Sequence, residues 1–492
     1  MDFLDPDKKK KHSRRLLAGY VLIGVAIALA GLVLLFQSYG YDLDHKTGKV
    51  IQNGLIFVSS HPESATVYLN DKQKDTTDAR YTVPAGSYTV ELKRSGYRNW
   101  RRSFNLEGGT IERLVYPVLF PEKLSIKDQQ QYATMPQLAT ESPDRRWIIV
   151  QQPNSITAFD VFDTNNPKVA PAKISLDASL LTAAAGNHTY EVQEWSTDNR
   201  HVLLKHMYAD GKFEFVMVDR DTPTNSTNLN KLLGIAPTKI TLRDKRFDQL
   251  YIYEAGAGSL KTADTKTRQV NALLTGIRAY KSYGSDTLLY AATDTANPEK
   301  VSIKIRDNNK DYLLKTHAGS SDFLLDITRF DGHWYAVVGA KTVGRVAIYK
   351  DPVDAISRTP GELPSAFTSL IMNDPQQIIF SANARFILSQ SGSRFAVYDA
   401  ETNRRFYYQL DQALPLDNKA VWMDGHRLLV NNESKVVVFD FDGINKQTLV
   451  PIVPGAVPLF DRDYTRLYTL APSQQDTTKA ALTQTALKLN LQ

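Results

Sequence analysis

Chemistry in this chain of 492 residues would have to come from histidines, carboxylates, serines or glycine-rich loops, because it has no cysteine. That absence excludes thiolate nucleophiles, disulfides and cysteine metal sites together. His188, His201, His206, His317, His333 and His426 show no HExxH or paired spacing of the kind that sets two imidazoles on one metal. His333 and His426 each follow an Asp-Gly pair, which suits a turn role better than a ligand or a base. The segment from Glu254 to Thr262 resembles a phosphate loop in composition. It lacks the GxxxxGK[ST] spacing and joins two strand-like runs, so it reads as a hairpin. Asp42, Asp44 and Gly48 approach a calcium loop, but Lys46 takes a ligand position and no glutamate closes it, which leaves a solvated turn. No Gly-x-Ser-x-Gly elbow occurs, and the carboxylates are dispersed among turns. The sequence therefore predicts no catalytic residue, no metal and no cofactor. Trp147, Trp195, Trp334 and Trp422 are the candidate ligand-facing residues, each beside a recurring turn. Packing between repeats and a stacking surface for sugars or peptides are both open readings of them.

The elements that must position these residues follow a repeat of turn and apolar strand between residues 122 and 492. Its copies begin at Ser142, Ser196, Arg243, Gly284, Phe330, Ser381, Met423 and Asp461, and several carry Ser-x-Asp or Ser-x-Asn. A second strand trails the first and ends on or near a charged residue, as in Phe215-Val216-Met217-Val218-Asp219 and Phe395-Ala396-Val397-Tyr398-Asp399. Such units cannot bury both faces alone, so the expected solution is a β-propeller of stacked four-stranded blades. The turns resemble those of TolB-type and WD-repeat propellers, in which polar residues tie a hairpin to its own backbone. Eight copies suggest eight blades; seven is the alternative if a weak copy is miscounted. Leu487, Leu489 and Leu491 alternate with Lys488 and Asn490, which predicts a C-terminal strand completing the last blade.

Residues 53–120 read as short alternating strands separated by Pro and Gly. Over 54–120 they resemble a PEGA domain, through Val58-Ser59-Ser60, Pro62-Glu63-Ser64-Ala65, Val67-Tyr68-Leu69-Asn70-Asp71, Pro84-Ala85-Gly86 and Gly96-Tyr97. Ser64 stands where the name-giving glycine usually is, and the usual Gly-x-Thr-Pro element appears only as Asp75-Thr76-Thr77-Asp78, which predicts an altered loop. The resemblance implies a small β-sandwich of the cell surface, structural or wall-associated, with no catalytic residues to carry over.

Residues 16–36 form an uncharged run after the lysines at 8–11, Arg14 and Arg15. At about 1.5 Å per residue it matches a hydrocarbon core of roughly 30 Å. A transmembrane helix is predicted, with residues 1–15 a cytoplasmic basic tail, 37–52 a stalk and 37–492 extracytoplasmic. A cleaved signal peptide is the competing reading, with Ser38-Tyr39-Gly40 the nearest site. Gly24 and Ala28 form a small-xxx-small pair that two helices could share. Of the net charge of +6, the N-terminal tail carries +3, so no concentrated basic face is available for nucleic acid. The fold class is therefore all-β: an N-terminal transmembrane helix, a PEGA-like sandwich and a propeller. The expected function is a membrane-anchored, non-enzymatic binding or scaffold protein of the cell envelope. Its partners are the lipid bilayer through 16–36 and a cell wall, surface protein or glycan. The alternative is an exported propeller enzyme, a glycan hydrolase or lyase.

Overall fold

The computed structural model describes residues 6–38, 40–43, 50–209, 211–294, 297–319 and 322–489. The chain divides into two compact units, 1–123 and 124–492.

The first unit opens with a helix over Pro6–Ser38. Between Lys9 and Phe36 it is long and apolar enough to cross a membrane, and its large apolar side chains from Leu16 to Phe36 are exposed. Such a helix suits an anchor and a signal sequence alike. Residues 37–52, read as a plain stalk, instead supply strand: Tyr41–Leu43 pairs antiparallel with the start of Val50–Val58. Hydrogen bonding along that hairpin outweighs its polar, turn-like composition. Asp44 and Gly48 of the calcium-like loop lie outside the described residues.

Val50–Val58 also pairs with Ala79–Pro84 and, in parallel, with Ile111–Leu114. A second sheet orders Lys72–Thr76, Thr66–Leu69, Gly86–Lys93 and Trp100–Leu106. Ile56, Val67, Val90, Leu92, Trp100 and Leu114 are fully buried in this unit. The altered loop has its own anchor. Buried Thr77 shares a 2.8 Å hydroxyl contact with Ser60 and accepts the amide of Ala65 at 3.1 Å. Ser64 takes φ of +62°, the left-handed conformation that glycine would adopt without cost.

Among the described residues the second unit has eight four-stranded sheets, numbered here as blades one to eight in chain order from the strand at Ala139–Glu141, so the propeller has eight blades. Each copy of the sequence repeat is the turn and second strand of a blade, and the trailing apolar element is the third. Those middle strands are buried on both faces, as in Phe386–Ser391, because neighbouring blades cover both sides. Shared cores show the stacking. Ile149 and Phe159 of blade one meet Trp195 and Val202 of blade two, while Leu203 and Phe215 of blade two meet Ile240 and Leu250 of blade three. Each such buried side chain contributes roughly 1.5–3 kcal/mol.

Closure differs from the sequence expectation. The last strand ends at Ala486, and Leu487 to Leu489 follow as bend and turn; Leu487 is buried, Leu489 is exposed and Leu491 lies outside the described residues. Blade eight is instead completed by Ile126–Tyr132, from the start of the unit, pairing antiparallel with Ala480–Ala486. Joining the two ends of the unit in one sheet protects an edge that a C-terminal strand would leave open. Asp128 fastens this seam by accepting Ser473 Oγ at 2.6 Å and the amides of Gln474 and Gln475 at 2.9 and 3.3 Å. Burial works to raise its pKa, but these donors together with Gln131 outweigh it and hold the carboxyl below its usual range.

The charged residue after the third strand has a recurrent task. Asp163 accepts Arg146 at 3.3 and 3.1 Å, Asp219 accepts Arg200, and buried Asp399 accepts Arg385 at 2.8 and 2.7 Å. In blades three to five the donors are Gln249 to Asp264, Thr287 to Asp307 and His333 to Asp351. Each clasp joins the start of the second strand to the end of the third. His333 therefore holds a turn, as its repeat position suggested. His426, at the equivalent position in blade seven, packs edge-on against Phe386 at 5.4 Å. Burial pushes its pKa down to about 4, with Arg385 and Arg427 adding to the effect and Asp424 and Asp399 opposing it.

Two outcomes follow for the full chain in detergent. Asp128→Ala frees three seam donors and should lower the urea unfolding free energy by about 2 kcal/mol, measured by tryptophan fluorescence. His426 is neutral when folded, and its folded pKa lies below the ordinary value near 6.5, so its contribution is complete above pH 6.5 and is lost as pH falls toward 4. His426→Gln should flatten that part of the stability profile by on the order of 2 kcal/mol; an unchanged slope would assign the effect elsewhere.

Candidate functional site

The first strands of adjacent blades run beside one another, as Ile277–Tyr283 does with Phe323–Phe330, and Phe323–Phe330 with Gln377–Phe380. They therefore face the propeller axis. Blade one and blade eight meet in the same way through Ala139–Glu141 and Leu459–Phe460. A cavity of about 470 Å³ lies against the first strands of blades two to six.

Its wall is charged. Glu194 at the end of the blade-two strand accepts the amide of Leu242 at 2.6 Å and pairs with Lys245. Asp326 of blade five pairs with Lys281 of blade four at 3.2 Å and accepts the amide of Phe380 at 3.3 Å. A carboxylate thus stitches one blade to the next at both places, and each is joined by a lysine. Glu141 of blade one makes the same kind of stitch, accepting the amide of Phe460 at 2.6 Å. Burial raises its pKa to about 7, against the pull of that amide and of Arg145.

Lys239 is different. It lines the cavity, yet among the described residues it has neither an ion pair nor a hydrogen bond; its ammonium lies 5.4 Å from the centre of the Tyr280 ring. The side chain is exposed to the cavity, yet desolvation by the surrounding wall, and then the like charge of Lys281, lower its pKa against the attraction of Glu194. Beside it the hydroxyls of Thr241 and Tyr280 meet at 3.0 Å. Burial pushes the Tyr280 phenol well up, so it stays protonated.

The four tryptophans are spread over three blade interfaces. Trp195 is buried between blades one and two and donates its indole N–H to Thr140 at 2.9 Å. Trp147 packs on the same core, between the guanidinium groups of Arg220 at 3.9 Å and Arg146 at 4.6 Å. Trp422 stacks on Phe386 at 6.0 Å, between blades six and seven. Trp334 packs on the core of blades four and five and meets Tyr283, a cavity residue, edge-on at 5.1 Å. Trp334 thus touches a cavity residue, and Trp195 follows the cavity residue Glu194 in the same strand.

A second polar cluster lies inside blade two. Glu214 accepts His206 Nδ1 at 2.9 Å, His206 Nε2 meets His188 Nδ1 at 2.9 Å, and His188 Nε2 reaches the carbonyl of Ala184 at 3.0 Å. The order carboxylate–imidazole is that of a relay, but its outer nitrogen ends on a backbone carbonyl rather than on a nucleophile. Glu214 also accepts Thr182 and Asn228, which makes the cluster a fastening of a loop to the blade. Among the described residues no group of three or more His, Asp or Glu side chains could hold a metal ion. The Glu254–Thr262 segment is a hairpin turn between Gln249–Glu254 and Ser259–Asp264.

Sequence reasoning missed Glu194, Lys239, Lys281 and Asp326. The faint signal is a charge shortly before several of the turn motifs. A bulge between Val192 and Glu194 and unequal first strands shift its offset from blade to blade.

Comparison with known proteins adds the following. Residues 53–115 match the PEGA domain family. No curated protein matches the chain. Among solved structures the chain is similar to dihydro-heme d1 dehydrogenase NirN in complex with DHE, at 12% identity and a TM-score of 0.39, covering 64% of this chain and 66% of that one. It is also similar to an oligogalacturonate lyase from Vibrio parahaemolyticus, at 9% identity and TM-score 0.38, covering 75% of this chain and 100% of that one. A third is apo AztD from Citrobacter koseri, at 11% identity and TM-score 0.37, covering 78% and 94%. Likenesses this distant transfer no activity. The small β unit is a PEGA domain, and it precedes an eight-bladed propeller.

Proposed function

We propose that this is an envelope-surface protein, held in the membrane by its N-terminal helix with residues 37–492 outside, and that its propeller is a non-catalytic recognition head. The helix is supported by its length, its apolar surface and the basic cluster before it, which favours a cytoplasmic N-terminus. The PEGA domain supports a surface setting and a wall-associated role. The observation that carries the recognition reading is the axial cavity, whose wall comes from five blades. Concave sites with a few convergent polar groups are where rigid scaffolds bind partners. A binding role is favoured over hydrolysis or elimination because both cavity carboxylates, Glu194 and Asp326, are committed to a lysine and a neighbouring amide. A proton-transferring carboxyl needs to be free to reach its substrate. The partner fits the class of a wall polymer, surface glycan or surface protein segment.

The full chain in lipid nanodiscs should retain envelope material from cell lysates, and Ser282→Trp, which fills the cavity, should reduce that retention at least about tenfold. Retention of nothing, or retention indifferent to Ser282→Trp, contradicts the recognition reading. Protease added to intact cells should degrade residues beyond 38 and leave the basic tail protected; the reverse pattern contradicts the orientation.

A further inference from the structure

We infer that the axial cavity binds an anionic group, a carboxylate or a phosphate ester, with the Lys239 ammonium as its counter-ion. The inference rests on the recognition reading above and names the ligand chemistry of that site.

Two independent observations converge on it. The first is charge. The cavity wall holds three ammonium groups, Lys239, Lys245 and Lys281, and two carboxylates, Glu194 and Asp326. Lys245 pairs with Glu194 and Lys281 with Asp326, which leaves Lys239 as the wall cation with no ion pair among the described residues, although Glu194 attracts it at longer range. Its side chain is exposed to the cavity, so the ammonium is open to an incoming anion, and the wall as a whole carries one more positive than negative group.

The second observation is a proton count. The Thr241 and Tyr280 hydroxyls carry two hydrogens between them, and their mutual contact uses one. The other O–H has no acceptor among the described residues. Thr241 lies two residues along the strand from Lys239, on the same face, and the Tyr280 ring centre lies 5.4 Å from the Lys239 ammonium. The spot thus offers a free hydroxyl donor close to the ammonium. The complementary ligand group carries acceptors and negative charge, and a carboxylate or phosphate oxygen accepts from both. Ile379 and Phe380 on the blade-six side give the rest of the ligand an apolar wall.

The test is saturation-transfer NMR on the full chain in nanodiscs of uncharged lipid. The probes are glycerol 3-phosphate, D-glucuronate and, as the neutral control, D-glucose. The expected result is saturable binding of at least one anion, no binding of glucose, and affinity weakened about tenfold or more by Lys239→Gln. Lys239→Arg should keep most of the affinity, and Lys173→Gln on an outer strand should change nothing. Preference for glycerol 3-phosphate identifies a phosphate ester as the natural group, and preference for glucuronate a carboxylate. Anion binding equal in wild type and Lys239→Gln, or no anion binding at all, overturns the inference. The recognition reading fails separately: it falls if Ser282→Trp leaves envelope retention intact, and it survives if that variant loses retention while Lys239→Gln does not.

Discussion

Pairing of Ile126–Tyr132 with Ala480–Ala486 is the constraint on which the rest of the propeller depends. Each blade is a sheet apolar on both faces, and in a row of such sheets the two end blades would each show water a hydrophobic face and an unpaired edge. Building blade eight from both ends of the unit converts the row into a ring, and only in a ring do the first strands converge on an axis. The cavity and its charges exist because of that closure. The donors that Asp128 takes from Ser473, Gln474 and Gln475 sit at this seam, where an opened hairpin would cost the most contacts.

Polar residues divide into two sets with opposite states of satisfaction. At the ends of the middle strands, Arg146, Arg200 and Arg385 close on Asp163, Asp219 and Asp399, and these pairs define the turns. Partly buried, bidentate pairs of this kind hold geometry better than scattered surface ion pairs. On the axis, Glu194 and Asp326 stitch blades together, while Lys239 lines the cavity with no ion pair among the described residues.

Much of this was legible in the sequence. The turn motifs and the trailing strands repeat because every blade needs the same clasp and the same doubly buried strands, so periodicity alone gave the propeller and its eight units. The PEGA motifs likewise led to the small β unit, and His333 was placed in a turn. Closure was not legible. Leu487 and Leu489 alternate like strand residues, whereas Ile126–Tyr132, with its three glutamines, has little strand character and is held by its partner. The axial site was hidden for a related reason. Its residues come from first strands only two to eight residues long, whose sequences are constrained by neighbouring blades rather than by a repeat. The tryptophans drew attention by type, yet Trp147, Trp195 and Trp422 serve blade contacts, because a large ring next to a turn is most easily accommodated between sheets.

The most direct measurement of the central claim, that recognition occurs on the propeller axis, is site-specific photo-crosslinking in cells. A benzophenone side chain at Thr328, on the cavity wall, is compared with one at Lys173, on the outer strand of blade one. The account predicts an envelope-derived adduct from Thr328 and none from Lys173. Adducts from Lys173 alone, or from neither position, would contradict it.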